Sequence, residues 1–275
     1  MYNLSGKVAI ITGSGGKNGI GRSVANRLSK EGAKIVVTDI VENPYPEDGW
    51  NGLKSVTEEI ETNGGEALHI LSDVTDSSSI NKLIEKVIKK FNRVDILVNN
   101  AGAPANKDRV PIVDLSEDEW DRVLGINLKG VFLFSKAFSN QLILQNEGGK
   151  IINISSIAGK KGSATFGAYN ASKAGVIRLT ESIALDLAKY SINVNSVCPS
   201  WVDTERVDTY VEHLYKDNLS HEEKRKLHLS SIESSVPLGR YASPDDVAKA
   251  VAFLSSEESS FVTGASLNVS GGIIA

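Results

Sequence analysis

The chain has 275 residues, a hydrophobic fraction of 41% and a net charge of −4, which suits one large α/β domain or two small ones. The basic residues are scattered among acids, which excludes the broad positive field of proteins that bind nucleic acids or anionic membranes. The single cysteine, Cys198, excludes an internal disulfide, and no Cys or His spacing resembles a zinc site, so we predict no metal.

The N-terminal residues predict neither a leader nor a membrane anchor. Residues 1–7 run directly into a short apolar segment and carry no signal-peptide core. No apolar stretch approaches the ~18 residues that a membrane-spanning helix requires. We therefore expect a soluble, cytoplasmic protein.

Short apolar, β-branched runs alternate along the chain with longer segments of helical period. Residues 80–91 keep apolar side chains at i, i+3, i+4 and i+7, and helix-start signals lie at Ser116–Glu119 and Ser243–Asp245. Strands that alternate with helices form parallel sheets covered on both faces. We predict one α/β domain over residues 1–275, a doubly wound parallel sheet of the Rossmann type. The predicted strands are Val8–Ile11, Ile35–Thr38, Ala67–Leu71, Val94–Val98, Lys150–Ile154, Ile192–Cys198 and Leu267–Val269.

Two segments are predicted to be insertions on this scaffold. Glu42–Gly52 contains two prolines and reads as a loop. Residues 205–236 form a polar stretch with two weakly helical parts.

A glycine-rich turn, TGSGGKNGIG at residues 12–21, follows the first predicted strand. Glycines permit a tight turn and let the backbone approach a pyrophosphate, whose charge the next helix N-terminus stabilises. Asp39 ends the second strand, where its carboxylate would accept a hydrogen bond from a ribose 2′-hydroxyl and repel a 2′-phosphate. Ile40 adds no cation there, but Lys17 in the turn is one that could reach a 2′-phosphate. The charges favour NAD over NADP; a plain strand-to-helix turn is the alternative.

From Lys7 to Gly272 the ordered motifs resemble the short-chain dehydrogenase/reductase family. The turn is similar to the family's Thr-Gly-x-x-x-Gly-x-Gly, although five residues rather than three separate Gly13 from Gly19. Asp73-Val74 resembles the adenine-contacting pair, and Asn99-Asn100-Ala101-Gly102 the family's Asn-Asn-Ala-Gly. Tyr169-x-x-x-Lys173 follows Ser156 by the family's thirteen residues.

The resemblance implies four catalytic residues. Tyr169 would take the hydroxyl proton of a secondary alcohol, and Ser156, rather than Ser155, would hydrogen-bond the substrate oxygen. Lys173, four residues from Tyr169 and so on the same helix face, would favour the phenolate and hold the nicotinamide ribose. Asn127 would anchor a water that leads the proton to solvent.

The resemblance also implies a long set of cofactor contacts. One departs from the family, because Ser200 stands where a glycine is usual and adds a Cβ beside the nicotinamide. The implied contacts are Gly13, Gly15, Asn18, Gly19, Ile20, Gly21, Asp39, Ile40, Asp73, Val74, Asn100, Ala101, Gly102, Tyr169, Lys173, Pro199, Ser200, Val202 and Thr204.

Residues 205–236 lie where the family carries a substrate lid. Cations in and near this stretch either receive an anionic substrate group or belong to a solvated helix pair. They are Lys160, Lys161, Arg206, His213, Lys216, His221, Lys224, Arg225, Lys226 and His228.

Three functions remain open. The first is an NAD-dependent dehydrogenase of a secondary alcohol, and the second a 3-oxoacyl-thioester reductase. The third is a dinucleotide-binding sensor without catalysis. The family resemblance further implies a homotetramer, or a homodimer, in which apolar residues suit either core or interface: Val131, Phe132, Phe134, Val176, Ile177 and Ile183.

Overall fold

The chain is described by a computed structural model over residues 2–46, 49–215 and 218–273, without the side chains of Thr209 and His213. Its strands form one parallel sheet of seven in the order β3-β2-β1-β4-β5-β6-β7. The strands are β1 (Val8–Thr12), β2 (Lys34–Thr38), β3 (Ala67–His69), β4 (Ile96–Asn99), β5 (Gly149–Ile154), β6 (Ile192–Pro199) and β7 (Ser266–Val269).

The strand order reverses at the centre of the sheet. The chain moves outward from β1 to β3 and then returns, so that β4 pairs with the other side of β1 at Ile11↔Val98. In doubly wound sheets such a reversal opens a crevice beyond the carboxyl ends of the two strands. The fold therefore places its principal cleft between the ends of β1 and β4.

Helices cover both faces of the sheet. Two of them begin as predicted: the Ser116 hydroxyl accepts a hydrogen bond from the Glu119 amide, and Ser243 forms a reciprocal capping box with Asp246. The helices are α1 (Ile20–Lys30), α2 (Leu53–Thr62), α3 (Ser77–Phe91), α4 (Glu117–Leu124), α5 (Gly130–Gln145), α6 (Gly167–Leu187), α7 (Glu205–Leu214), α8 (His221–Glu233) and α9 (Pro244–Ser255).

Successive residues of each central strand point into different halves of the core. In β1, Ala9 and Ile11 pack with α1, α2 and α9, whereas Val8 and Ile10 pack with α3, α5 and α6. Both faces of the strand are thus buried, which explains its continuous apolar sequence.

The predicted fold class is confirmed, and every predicted strand is present with bounds that differ by no more than two residues. The described part of Glu42–Gly52 lacks regular helix or strand, as expected of a loop. Residues 205–236 contain α7 and α8, the two helical parts predicted there.

The residues predicted to suit either core or interface divide between two environments. Val131, Phe134, Val176 and Ile177 are buried and Ile183 packs partly buried against the core, whereas Phe132 is 43% exposed on α5. Within the described residues, no helix is long and apolar enough to cross a membrane.

Replacing Phe138 with alanine tests the half of the core under α5. The ring is fully buried, and its removal leaves a cavity that we expect to lower the free energy of unfolding by about 3–5 kcal/mol. Urea denaturation measures the loss. Phe261→Ala is the matched control, because that ring is fully exposed; equal losses in the two variants would contradict this packing.

Candidate active site

A cavity of about 800 Å³ lies at the carboxyl ends of the central strands. It brings together most of the residues predicted for cofactor binding and catalysis. The predicted residues that line it are Gly13, Gly19, Ile20, Asp39, Ile40, Asp73, Val74, Asn100, Ala101, Gly102, Ser156, Tyr169, Lys173, Pro199, Ser200, Val202 and Thr204. Gly15, Asn18, Gly21 and Asn127 are not on the cavity wall, and their contacts are described below.

The glycine turn is locked against the segment that follows β4. The Thr12 hydroxyl accepts hydrogen bonds from the amides of Asn100 (3.0 Å) and Ala101 (2.9 Å), and the Asn100 carboxamide donates to the Gly13 carbonyl (2.8 Å). A Cβ on Gly13, whose φ is +66°, would lie 2.7 Å from Ala101 Cα, and one on Gly21 would lie 2.5 Å from the Gly13 carbonyl oxygen. Both positions therefore require glycine.

The turn already holds an anion supplied by the chain. The Asn18 amide donates a hydrogen bond to the Glu205 carboxylate at the start of α7, and that carboxylate also lies against Gly16. Amides at a helix N-terminus that donate to a carboxylate offer the same hydrogen bonds to a phosphate. The turn thus fits the pyrophosphate of a dinucleotide.

Asp39 faces the same cavity from the end of β2. Its carboxylate accepts hydrogen bonds from the amides of Gly15 (3.1 Å) and Ile40 (2.9 Å). Burial raises the pKa of Asp39, and these two amides and the Arg206 charge oppose that rise. The carboxylate is therefore held in one orientation beside the glycine turn.

The loop at 42–52 closes over the turn, a contact that the sequence did not predict. The Trp50 indole donates a hydrogen bond to the Gly15 carbonyl (2.8 Å), and the Arg22 guanidinium stacks on the indole ring at 5.1 Å. Pro44 packs so tightly on Gly15 that a Cβ there would lie 2.4 Å from the proline ring. Pro44 and Tyr45 line the cavity next to Asp39.

Tyr169 and Lys173 lie one turn apart on α6, as predicted. The Lys173 ammonium is 5.8 Å from the Tyr169 ring centroid and donates a hydrogen bond to the Ile154 carbonyl at the end of β5 (2.8 Å). Lys173 is only 4% exposed. Burial lowers the pKa of Lys173 to about 7, with a further lowering by the Arg206 charge. The amine is therefore close to its own protonation midpoint at neutral pH.

The two serines after β5 have different contacts. The Ser155 hydroxyl donates to the Lys173 carbonyl (2.8 Å), which fixes α6 against β5. The Ser156 hydroxyl oxygen accepts from the Ala158 amide (3.1 Å), and this bond leaves the hydroxyl hydrogen available to a ligand.

Asn127 lies in a π-helical turn, Gly125–Lys129, that joins α4 to α5. Its side-chain oxygen accepts from the Ala103 amide (2.8 Å) and its nitrogen donates to the Ser172 hydroxyl (3.0 Å). A π turn within a helix often marks a functional site. Here it ties the segment after β4 to the helix that carries Tyr169.

Ser200 causes no backbone strain. It does not belong to the described residues with positive φ, so the conformational freedom of a glycine is not needed, and its amide donates to the Val269 carbonyl (3.0 Å).

Sequence reasoning missed one wall of the cavity. Phe166, Trp201 and Tyr210 form a chain of tilted rings with centroids 5.7–6.2 Å apart, and Arg109 lies against Phe166 and Tyr169. Burial lowers the pKa of the Arg109 guanidinium, and the charge of Asp108 opposes this. No motif marks these residues, because they come from separate loops and from α7.

Three of the predicted cations contact carboxylates of residues 203–212. Arg225 pairs with Asp203 and Asp208, and Lys224 pairs with Glu212 (2.7 Å), as does His221 (2.7 Å). Lys160 donates to the Ser266 carbonyl and the Asn268 side chain, while His228 is buried against Trp201. Of the predicted cations that the structure describes, Arg206 and Lys161 line the cavity. Lys216 and the side chain of His213 lie outside the described part.

Within the described ranges, no group of three or more His, Cys, Asp or Glu side chains is placed to hold a metal ion.

Burial of Lys173 should make the free energy of unfolding depend on pH. Folding lowers the pKa of Lys173 from 10.5 to about 7, so the unfolded chain binds more protons between these values. The cost of burying the ammonium is complete below pH 7 and disappears as the pH rises toward 10.5, by up to about 1.4 kcal/mol per pH unit. Lys173→Met should therefore be more stable than the parent at pH 6.5, with a margin that shrinks by pH 9.5. Urea unfolding at both pH values measures it.

Lys249→Met serves as the matched control for this measurement, since Lys249 is exposed on α9 and its removal should change stability equally at both pH values. Parallel pH profiles for Lys173→Met and the parent would contradict the assignment.

Comparison with known proteins identifies the family. A family model described as enoyl-(acyl carrier protein) reductase matches residues 13–274. Galactitol 2-dehydrogenase of Agrobacterium fabrum is 38% identical, over 98% of this chain and 98% of its own. The 3-oxoacyl-[acyl-carrier-protein] reductase of Thermotoga maritima is 35% identical, over 98% of this chain and 99% of its own. The crystal structure of an NAD⁺-bound xylitol dehydrogenase matches with a TM-score of 0.84 and 34% identity, over 98% of this chain and 99% of that one. The chain therefore belongs to the short-chain dehydrogenase/reductase family and is an oxidoreductase of alcohol or keto substrates.

Proposed function

We propose that the chain is an NAD(H)-dependent dehydrogenase that interconverts a secondary alcohol and its ketone, with Tyr169 as the acid/base. The observation that carries this proposal is the single cavity that extends from Asp39 to Tyr169 and also holds Ser156 and Lys173. Such a cavity accommodates a dinucleotide along one part and a small substrate beside the phenol.

The chemistry divides between the cofactor and the chain. Nicotinamide, when bound, supplies the carbon that accepts or returns a hydride. In the oxidation direction the Tyr169 phenolate takes the hydroxyl proton. Ser156 directs its hydroxyl hydrogen to the substrate oxygen and stabilises the charge on that oxygen.

Lys173 provides the proton route and the positive charge. Its ammonium form, buried one helical turn from Tyr169, favours the phenolate electrostatically, and the group exchanges protons readily near neutral pH. Asn127 is held rigidly by Ala103 and Ser172, and we propose that it anchors the water through which this proton reaches solvent.

Asp39 supports a preference for NAD. Its carboxylate is oriented by two amides beside the glycine turn, where it can accept a hydrogen bond from a ribose 2′-hydroxyl and repel a 2′-phosphate. The exposed Ile40 beside it offers no compensating charge.

A 3-oxoacyl-thioester reductase is the second candidate. The Thermotoga maritima relative favours it, and the description of the matching family model names another reductase of acyl-carrier-protein thioesters. Faster reduction of a 3-oxoacyl thioester with NADPH than of any simple ketone with NADH would support this alternative. The third hypothesis, a non-catalytic sensor, loses support because Ser156, Tyr169 and Lys173 line one cavity.

We also propose that copies of the chain associate into a homotetramer or homodimer. A surface groove between α4, the π turn and α6 is lined by Leu124, Leu128, Phe132 and Leu179. Apolar side chains on an open surface of this kind suit a subunit interface.

Tyr169→Phe tests the acid/base assignment. The change keeps the ring contact with Phe166 (6.3 Å) but removes the proton-transferring oxygen, so we expect kcat to fall by about 10²–10⁴-fold. Turnover followed by nicotinamide absorbance, and NADH affinity followed by fluorescence, separate chemistry from binding. Tyr190→Phe, beyond the end of α6, is the control; activity retained in Tyr169→Phe rules the assignment out.

Asp39→Ala tests cofactor selection. Loss of the carboxylate removes a charge-assisted hydrogen bond to the ribose and the repulsion of a 2′-phosphate, so the NAD/NADP ratio of kcat/KM should fall by about tenfold or more. Steady-state kinetics with both cofactors measure this ratio, with Asp186→Ala on the exposed face of α6 as the control. An unchanged ratio in Asp39→Ala would refute the ribose contact.

A further inference from the structure

Arg109 has an unusual position for a charged residue. It belongs to the loop between β4 and α4, and its guanidinium carbon lies 4.3 Å from the Phe166 ring centroid and 4.5 Å from that of Tyr169. Its side chain is only 13% exposed, yet the residue forms part of the cavity wall. A positive charge is thus placed against the ring proposed as the acid/base.

The hydrogen-bond donors of this guanidinium are incompletely satisfied. Its Nε and Nη1 atoms are buried and have no hydrogen-bond partner. A guanidinium carries five N–H donors, and leaving buried donors unpaired is costly. An acceptor carried by a bound molecule would satisfy these donors.

The nearest carboxylate does not fill this role. Asp108 Oδ2 is 3.5 Å from Arg109 Nη1, an ion-pair contact without a hydrogen bond. Asp108 Oδ1 is engaged with the Asn106 amide (2.8 Å) and the Arg122 guanidinium (3.3 Å). Asp108 offsets the charge of Arg109 but accepts no hydrogen bond from its Nε or Nη1 atoms.

We propose that Arg109 binds a carboxylate carried by the substrate, so that the enzyme acts on hydroxy acids and the corresponding keto acids. This inference rests on the proposed function of the same site. The planar fork of a guanidinium matches the two oxygens of a carboxylate. Because Arg109 contacts the Tyr169 ring itself, the carboxylate lies only a few bonds from the reacting carbon.

The surroundings strengthen such a contact. The rings of Phe166, Trp201 and Tyr210 enclose this end of the cavity, and an apolar enclosure increases electrostatic attraction by excluding water. Arg206, which donates to the Gly102 carbonyl and lines the same cavity, adds a second positive charge. A small organic anion therefore meets cations and aromatic walls together.

A different role for Arg109 makes a different prediction. A guanidinium on the face of Tyr169 could stabilise the phenolate alone, in which case its loss would slow every substrate by the same factor. Recognition of a carboxylate affects only substrates that carry one. Comparing the rate for each keto acid with the rate for its own methyl ester separates the two roles, because the reacting ketone is the same in both.

The experiment measures NADH-dependent reduction of a panel of 3-oxo, 4-oxo and keto-aldonic acids and of their methyl esters. We expect the parent enzyme to prefer the best acid over its ester by about 10- to 100-fold in kcat/KM, chiefly through KM. Arg109→Met should abolish that preference, so that the ratio of kcat/KM for each acid to that for its own ester falls to about one, and Arg109→Lys should restore part of it. Arg178→Met, at an arginine exposed on α6, is the control and should retain the full preference.

Several results would overturn the inference. An equal loss for acids and esters in Arg109→Met would assign Arg109 to Tyr169 instead of the substrate. A parent enzyme that reduces esters or neutral ketones as well as acids would also reject it, while leaving the proposed dehydrogenase function intact. If no alcohol or ketone reacts with either nicotinamide cofactor, the proposed function itself fails.

Discussion

Two backbone segments at the carboxyl ends of β1 and β4 are held so close together that Gly13 has no room for a Cβ beside Ala101. The Thr12 hydroxyl binds both amides of the Asn100-Ala101 step, and the Asn100 side chain donates back to the Gly13 carbonyl. The parallel pairing of β1 with β4 fixes the strand ends on which these bonds depend. Because the floor of the cavity is built from these two segments, the position of every other site residue is set relative to them.

Burial of the Lys173 ammonium in the site lowers the stability of the fold. The ammonium is removed from water and given one backbone acceptor, at Ile154, whereas the exposed lysines of the molecule stay solvated. Burial without a paired carboxylate disfavours the charged form, so stability is lowered where reactivity near neutral pH is gained. A hydrogen bond from the Ser155 hydroxyl fixes the Lys173 backbone. This bond keeps the amine in its buried position.

Sequence reasoning reached the features that depend on local pattern. The sheet followed from apolar runs, and the Tyr169–Lys173 pair followed from helical spacing and family resemblance. It did not predict that Arg109, Trp201 and Tyr210 line the cavity. These residues come together only through the conformation of loops and of α7, which no local sequence signal specifies. The contact between Asn18 and Glu205 joins residues 187 positions apart. The cations in and near residues 205–236 were left between two interpretations. Lys224, His221 and Arg225 contact carboxylates of residues 203–212, which favours the solvated helix pair for these three.

The carboxylate of Glu205 links the glycine turn to the part of the cavity that α7 lines. An amide hydrogen serves one acceptor well, so a phosphate that takes the Asn18 amide must displace this side chain. Glu205 is the first residue of α7, and Val207 and Tyr210 of the same helix wall the opposite part of the cavity. We therefore expect occupancy of one half to alter the shape of the other, and by thermodynamic reciprocity the reverse holds equally. Each of the two ligands of such a cleft then changes the affinity of the other by the same factor.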